Sequence, residues 1–105
     1  MAWVYLLLAG LLEVVWAVAM KQSHGFSRLW PSVVTVIGMI ASFGLLAAAM
    51  RSLPLGTAYT IWTGIGAVGA FIVGVVLFGE QLGALRISAA VLIVAGLLLM
   101  KLSSN

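Results

Sequence analysis

The sequence predicts an all-α integral membrane protein with four transmembrane helices. Three observations carry that prediction. Of the 105 residues, 65% are hydrophobic and 7% charged, against roughly 25% charged in a typical globular protein. That leaves too little polar surface to clothe a water-exposed shell. The apolar residues fall into long runs, each near the ~20 residues a helix needs to cross about 30 Å of hydrocarbon. Short connections between the runs carry turn residues and most of the charge.

The spans read about Trp3 to Met20, Pro31 to Met50, Ala58 to Phe78 and Leu82 to Leu102. The first connection, "KQSHGFSRLWP", places Gly25 at a turn and Pro31 in the first turn of the next helix, where its missing N–H costs nothing. The second, "RSLPLGT", contains Pro54 and Gly56, and the third is only "GEQLG". Connections this short imply antiparallel neighbours. The fourth span begins near Arg86, which is expected to snorkel to the headgroups, and Lys101 marks its other end. Residues 1–105 are thus expected to form a single four-helix transmembrane domain with no stretch left for a soluble one. The amino-terminal run makes a poor signal peptide, because it lacks a basic start and contains Glu13.

Composition also excludes functions. The net charge of +3 is scattered between apolar runs, so no nucleic-acid surface forms and no nucleic-acid partner is expected. Without cysteine there are no disulfides or thiolate metal sites. No Ser/His/Asp set and no metal-ligand spacing appears. The lone His24 stands beside Gly25 in a connection, where it is expected to be solvated. Neither an enzyme, a bound metal nor a cofactor is indicated.

Four crossings place both termini and the second connection on one side, with Arg51 and Lys101. Lys21, Arg28 and Arg86 fall on the other. This near-balance gives the positive-inside rule nothing to decide. Taken literally, such a chain inserts in both orientations.

Glu13 lies midway along the first span. An ionised acid at that depth costs about 2.5–3.5 kcal/mol on insertion scales, and low dielectric favours its neutral form. A carboxyl that holds either a proton or a cation, never both, forces exchange by competition. Glu80, in the third connection, reads instead as a solvated interfacial residue.

Helical spacing puts Gly10, Ala9, Trp16 and Ala17 on the face of Glu13. In "GTAYTIWTGIGAVGAFIVG", Tyr59, Trp62 and Gly66 share one face of the third span. Their O–H and N–H groups need partners in lipid. Trp16, Tyr59 and Trp62 around Glu13 would make an aromatic cage with a negative floor, suited to an organic cation. Ser42, four residues from Gly38 on the second span, is placed to hydrogen-bond Glu13. Gly66, Ala70 and Gly74 form a small-residue ladder for close packing, and Gly64, Gly66 and Gly69 could let the helix bend. Ser88, Leu92 and Gly96 give the fourth span a similar ridge without candidate ligands, which reads as an association face. Four helices can hardly enclose a midplane site and also open it to both sides. Without an internal repeat, two copies in opposite orientations would supply the missing half.

"AGLLEVVWAVAMK", "GFSRLWPS", "LPLGTAYTIWTGIGAVGA" and "ALRI" together resemble the small multidrug resistance family from end to end. "EVVW" and "YxxWTGIGAVG" look like its guanidinium-exporter subtype. The resemblance implies an antiparallel, dual-topology homodimer in the bacterial inner membrane that exchanges protons for guanidinium. Its partners would be the cation, protons, lipid and a second copy of itself. It implies that Glu13 is the shared proton and cation site, that Gly10, Trp16, Ser42, Tyr59 and Trp62 surround it, and that Met39 and Phe43 line a side opening toward lipid. Lys101 would have only an interfacial role. Gly44 stands where the family commonly has a bulkier residue, which would widen that opening. A broad quaternary-ammonium exporter of the same family is the nearest alternative, and a non-transporting accessory subunit is a more distant one.

Overall fold

A computed structural model describes residues 1–103. Four helices follow one another: α1 (Ala2–Gln22), α2 (Leu29–Ala49), α3 (Leu55–Phe78) and α4 (Ala84–Ser103). Each is long and apolar enough to cross a membrane. Backbone hydrogen bonds satisfied within a helix are what allow such a segment to cross hydrocarbon at all.

The ends of the helices follow from their turn residues. Ser23 closes α1: its Oγ donates to Met20 O at 2.6 Å and accepts the Phe26 N–H at 3.0 Å. The chain then makes a left-handed turn through His24, Gly25 and Phe26, with φ of 50°, 73° and 67°. Glycine takes that conformation freely, whereas each of its two flanking residues gives up about 1–2 kcal/mol. The fully buried Ser23 fixes the turn against that cost. Pro54 precedes α3 with φ −62° and ψ 153°, and its carbonyl accepts the Ala58 N–H. Gly79, at φ 64°, ends the same helix in the left-handed cap that glycine favours.

Packing runs in the order α2, α1, α3, α4, with only a slight contact between α2 and α3. The result is flattened, 43 × 35 × 16 Å along its principal axes. Close helix approach is set by absent side chains. At Gly10 a Cβ would come within 2.5 Å of Ile65, at Gly38 within 2.9 Å of Trp16 Cβ, and at Gly69 and Gly64 it would overlap Val14 and Leu97. Leu6, Ala9, Leu46, Ala49, Ala58, Ile61 and Trp62 form the small buried core where α1, α2 and α3 meet. No described residue of α4 is buried. That helix touches the rest through α3, with Leu97 packed over Gly64, and its ridge of Ser88, Leu92 and Gly96 is exposed.

Two glycines of α2 separate packing from propensity. Gly38 lies against the α1 backbone, with Trp16 Cα 3.6 Å from where a Cβ would stand, whereas Gly44 has open space there. Gly38→Val is expected to destabilise the detergent-solubilised protein by about 1–3 kcal/mol, the usual cost of overpacking. Gly44→Val should leave the thermal midpoint nearly unchanged. Equal midpoints for the two variants would contradict the α1–α2 contact.

Candidate functional site

The candidate site lies where α1 meets α3, midway along α1. Glu13 is half-buried and its carboxyl rests against Gly66, at which any Cβ would overlap the carboxyl group. The missing side chain on α3 is therefore what makes room for the acid on α1. The Glu13 Oε1 atom is buried and has no hydrogen-bond partner among the described residues. The same holds for Trp16 Nε1, one helical turn further along α1. A donor and an acceptor, both buried and both unpaired, stand on one face of one helix. Buried polar groups are paired nine times in ten or more, so two exceptions side by side point to a ligand position.

Beside them lies a polar chain that is fully satisfied. The Trp62 indole N–H donates to Ser42 Oγ at 2.9 Å, and Ser42 Oγ donates to the Ala9 carbonyl at 2.6 Å. Ser42 is fully buried and Trp62 nearly so. This chain ties α3 to α2 and α2 to α1. The sequence expectation that Ser42 bonds Glu13 is thus not met here, since the hydroxyl proton goes to a backbone carbonyl on the preceding turn of α1. The reason is proximity: the buried Ala9 carbonyl lies directly at the α1–α2 contact.

The aromatic side chains form a row rather than a closed cage. Trp16 and Phe43 stack edge-on with centroids 6.3 Å apart, Phe43 and Trp62 follow at 5.6 Å, and Trp62 and Tyr59 at 5.4 Å. Tyr59, expected to close the cage, is 52% exposed at the end of the row. Phe43, expected beside a lipid-facing opening, is half-exposed and also bridges the two tryptophans, a contact that spacing within a single helix could not disclose. Met39 is half-buried one turn before it, and Gly10 is buried against Ile65. Of the three glycines singled out on α3, Gly66 receives Glu13, Gly69 receives Val14, and Gly64 receives Leu97 of α4. Lys101 sits with its Nζ 4.4 Å from the Trp3 ring centroid, at the membrane end away from the first connection. No group of three or more metal-ligating side chains occurs among the described residues.

A cluster at the other end of the α1–α3 groove escaped the sequence reading. Lys21, Phe71, Phe78, Glu80 and Arg86 gather there around a cavity of about 280 Å³. Glu80 pairs with Arg86 at 3.7 Å and leans over Gly74, so it is not simply solvated. The available signal was the run of residues four apart from each wall of the site: Glu13, Ala17 and Lys21 on α1, and Gly66, Ala70, Gly74 and Phe78 on α3.

Residues 1–93 match the family model described as Small Multidrug Resistance protein. A relative named guanidinium exporter from Escherichia coli (strain K12) is 60% identical over 105 residues, covering 100% of both chains. One of the same name from Yersinia pseudotuberculosis serotype I (strain IP32953) is 59% identical over 104 residues, 99% of this chain and 100% of its own. A third, from Salmonella typhimurium (strain LT2), is 57% identical over 105 residues, 100% of each chain.

The chain of hydrogen bonds through Ser42 makes a prediction about stability. Ser42→Ala would leave the buried Trp62 indole N–H without its acceptor at the α1–α2–α3 junction and remove the second bond to the Ala9 carbonyl. A loss of about 1–3 kcal/mol is expected, the cost of a buried group left unpaired, read as a lower thermal midpoint in detergent. An unchanged midpoint would mean that the junction is held by packing alone.

Proposed function

The chain belongs to the small multidrug resistance family, a multi-pass transporter of the inner membrane, and from that premise we propose that it exports guanidinium in exchange for protons. The observation that carries the proposal is the unpartnered Glu13 oxygen held mid-span against Gly66. The full-length relatives named guanidinium exporters support the choice of cation.

The chemistry follows from the carboxylate. Guanidinium is planar and offers N–H donors in a fork that matches both oxygens of a carboxylate. A quaternary ammonium offers no donor and would rely on the aromatic faces alone. One carboxyl accommodates a proton or the cation, so loading one expels the other, and a proton gradient drives the cation uphill. The row from Trp16 through Phe43 to Trp62 supplies a π-surface on which a delocalised cation is attracted. Trp62 and Ser42, locked to the Ala9 carbonyl, hold that surface in place. Gly66 leaves room for the carboxyl, and Gly10 lets Ile65 of α3 pack against α1 beside it. Gly44 leaves room beside Phe43 for a small substituent on the guanidinium.

One copy makes only half of such a site. The layer is flattened, only 16 Å along its shortest axis, Glu13 is half-buried in it, Tyr59 lies half in the open, and the α4 ridge through Ser88, Leu92 (72% exposed) and Gly96 is exposed. We take the working unit to be two copies in opposite orientations, joined along α4 and bringing their Glu13 carboxyls to one cavity. The near-equal charge on the two sides of the layer suits that arrangement. Two carboxyls sharing one site titrate as a pair, and the two-fold relation makes conformations open to either side equivalent.

The test is uptake of radiolabelled guanidinium into proteoliposomes carrying an imposed pH gradient. Wild type is expected to accumulate the cation and to lose that accumulation when the gradient is collapsed. Because protons compete, the apparent KM should rise as the pH on the loading side falls. Glu13→Gln should abolish coupled uptake. Coupled uptake that survives Glu13→Gln, or gradient-driven flux of a bulky quaternary ammonium with none of guanidinium, would overturn the proposal.

A further inference from the structure

Glu13 and Glu80 are the chain's two carboxylates, and the function above uses only the first. The second stands at the open end of the α1–α3 interface that also holds Glu13. Ala17 and Lys21 continue the Glu13 face of α1 by successive turns, and Ala70 and Gly74 continue the Gly66 face of α3. All four line the cavity of about 280 Å³ at the membrane surface. From Gly66 to Gly74 is a little over two turns, so the mouth lies roughly 12 Å along the helix from the Glu13 carboxyl.

What occupies the mouth is chemically telling. The Glu80 carboxylate folds back over Gly74, where a Cβ would meet Oε1 at 2.5 Å. The turn that delivers it is fixed by its own N–H donating to the Gly74 carbonyl at 3.1 Å. Its partner is Arg86, with Nη2 3.7 Å from Oε1. The Arg86 guanidinium carbon also stands 5.5 Å from the Phe71 ring centroid. Carboxylate and aromatic ring thus already receive a guanidinium group, one tethered to the chain itself. The pair is long and its side chains are 47% and 39% exposed for Arg86 and Glu80 respectively, a class of ion pair that contributes little to stability and is readily exchanged. Lys21 lies 5.5 Å from the Phe78 ring centroid on the opposite rim. With two cationic side chains and one carboxylate at the mouth, a third cation enters by exchange rather than by addition.

We propose that the mouth of the α1–α3 groove is an outer docking site for guanidinium-class cations, where the incoming cation replaces the Arg86 side chain on Glu80. Arg86 then swings outward and Phe71 offers its face to the newcomer. From there Ala17 and Ala70, with only methyl side chains, line the cavity one turn from Glu13 and Gly66. Arg86 acts as a tethered competitor that returns when the cation moves on. This inference rests on the guanidinium reading given above.

The experiment is the concentration dependence of guanidinium uptake in proteoliposomes for wild type, Glu80→Gln and Arg86→Gln. Glu80→Gln should raise KM several-fold, with kcat and the proton competition at Glu13 little changed. Arg86→Gln should lower KM by about two- to five-fold, the size expected for removing an exposed ion pair. If that variant does not insert, Arg86→Lys, which loses the planar fork, should shift KM in the same direction. Opposite shifts identify a site with a built-in competitor. A merely structural ion pair would send both variants the same way, and that result, or no shift in either, overturns the outer site while leaving guanidinium transport standing. No guanidinium flux in wild type would remove the transport reading and this site together.

Discussion

An acid placed in hydrocarbon must hold a proton, a cation or a hydrogen-bond donor, because nothing else there offsets its desolvation. Among the described residues the Glu13 oxygen facing Gly66 has no donor. Much of the fold can be understood as accommodating that carboxyl. Gly66 withholds a side chain so that the carboxyl fits, Gly10 and Gly38 let Ile65 and Trp16 approach closely, and α1 is thereby clasped between α2 and α3. The helix that carries the acid packs between α2 and α3, while α4, which carries no ligand candidate, is the least buried.

Satisfied and unsatisfied polar groups are sharply divided in this small protein. Ser42, Trp62 and the Ala9 carbonyl form a closed chain of donors and acceptors. Ser23 does the same at the first turn, and Thr35 at the start of α2, where its hydroxyl bonds the Pro31 carbonyl. Against these stand Glu13 Oε1 and Trp16 Nε1. An acceptor and a donor left open on one helical face are what the proposed exchange of proton and cation would use. The aromatic row between them, anchored at Trp62, gives that cation a wall already in position.

Much of this was legible in the chain. Four apolar runs foretold four helices, and the carboxylate within the first stands where α1 packs against Gly66 of α3. The spacing of Trp62 and Gly66 on α3 correctly put both on an inward face, because a 3.6-residue period is a property of one helix alone. What failed to show depends on how helices meet. The choice of Ser42 between Glu13 and the Ala9 carbonyl turns on the α1–α2 distance. Tyr59 shares a helical stripe with Trp62, yet it ends half-exposed because the layer stops beside it. The bridging of two tryptophans by Phe43 joins three helices at once. The pairing of Glu80 with Arg86 needed the left-handed cap at Gly79, which folds the third connection back over Gly74. Each of these is a contact between segments, and period and composition do not encode such contacts.

If a proton and a cation contest one carboxyl, binding the cation must release the proton. Guanidinium added to the purified protein in a weakly buffered detergent solution containing a pH indicator reads that release. Competition at Glu13 predicts a saturable release that follows binding and disappears in Glu13→Gln. Saturable binding of guanidinium without any proton release, across the pH range in which the protein transports, would contradict the claim, because proton and cation would then be held at separate places.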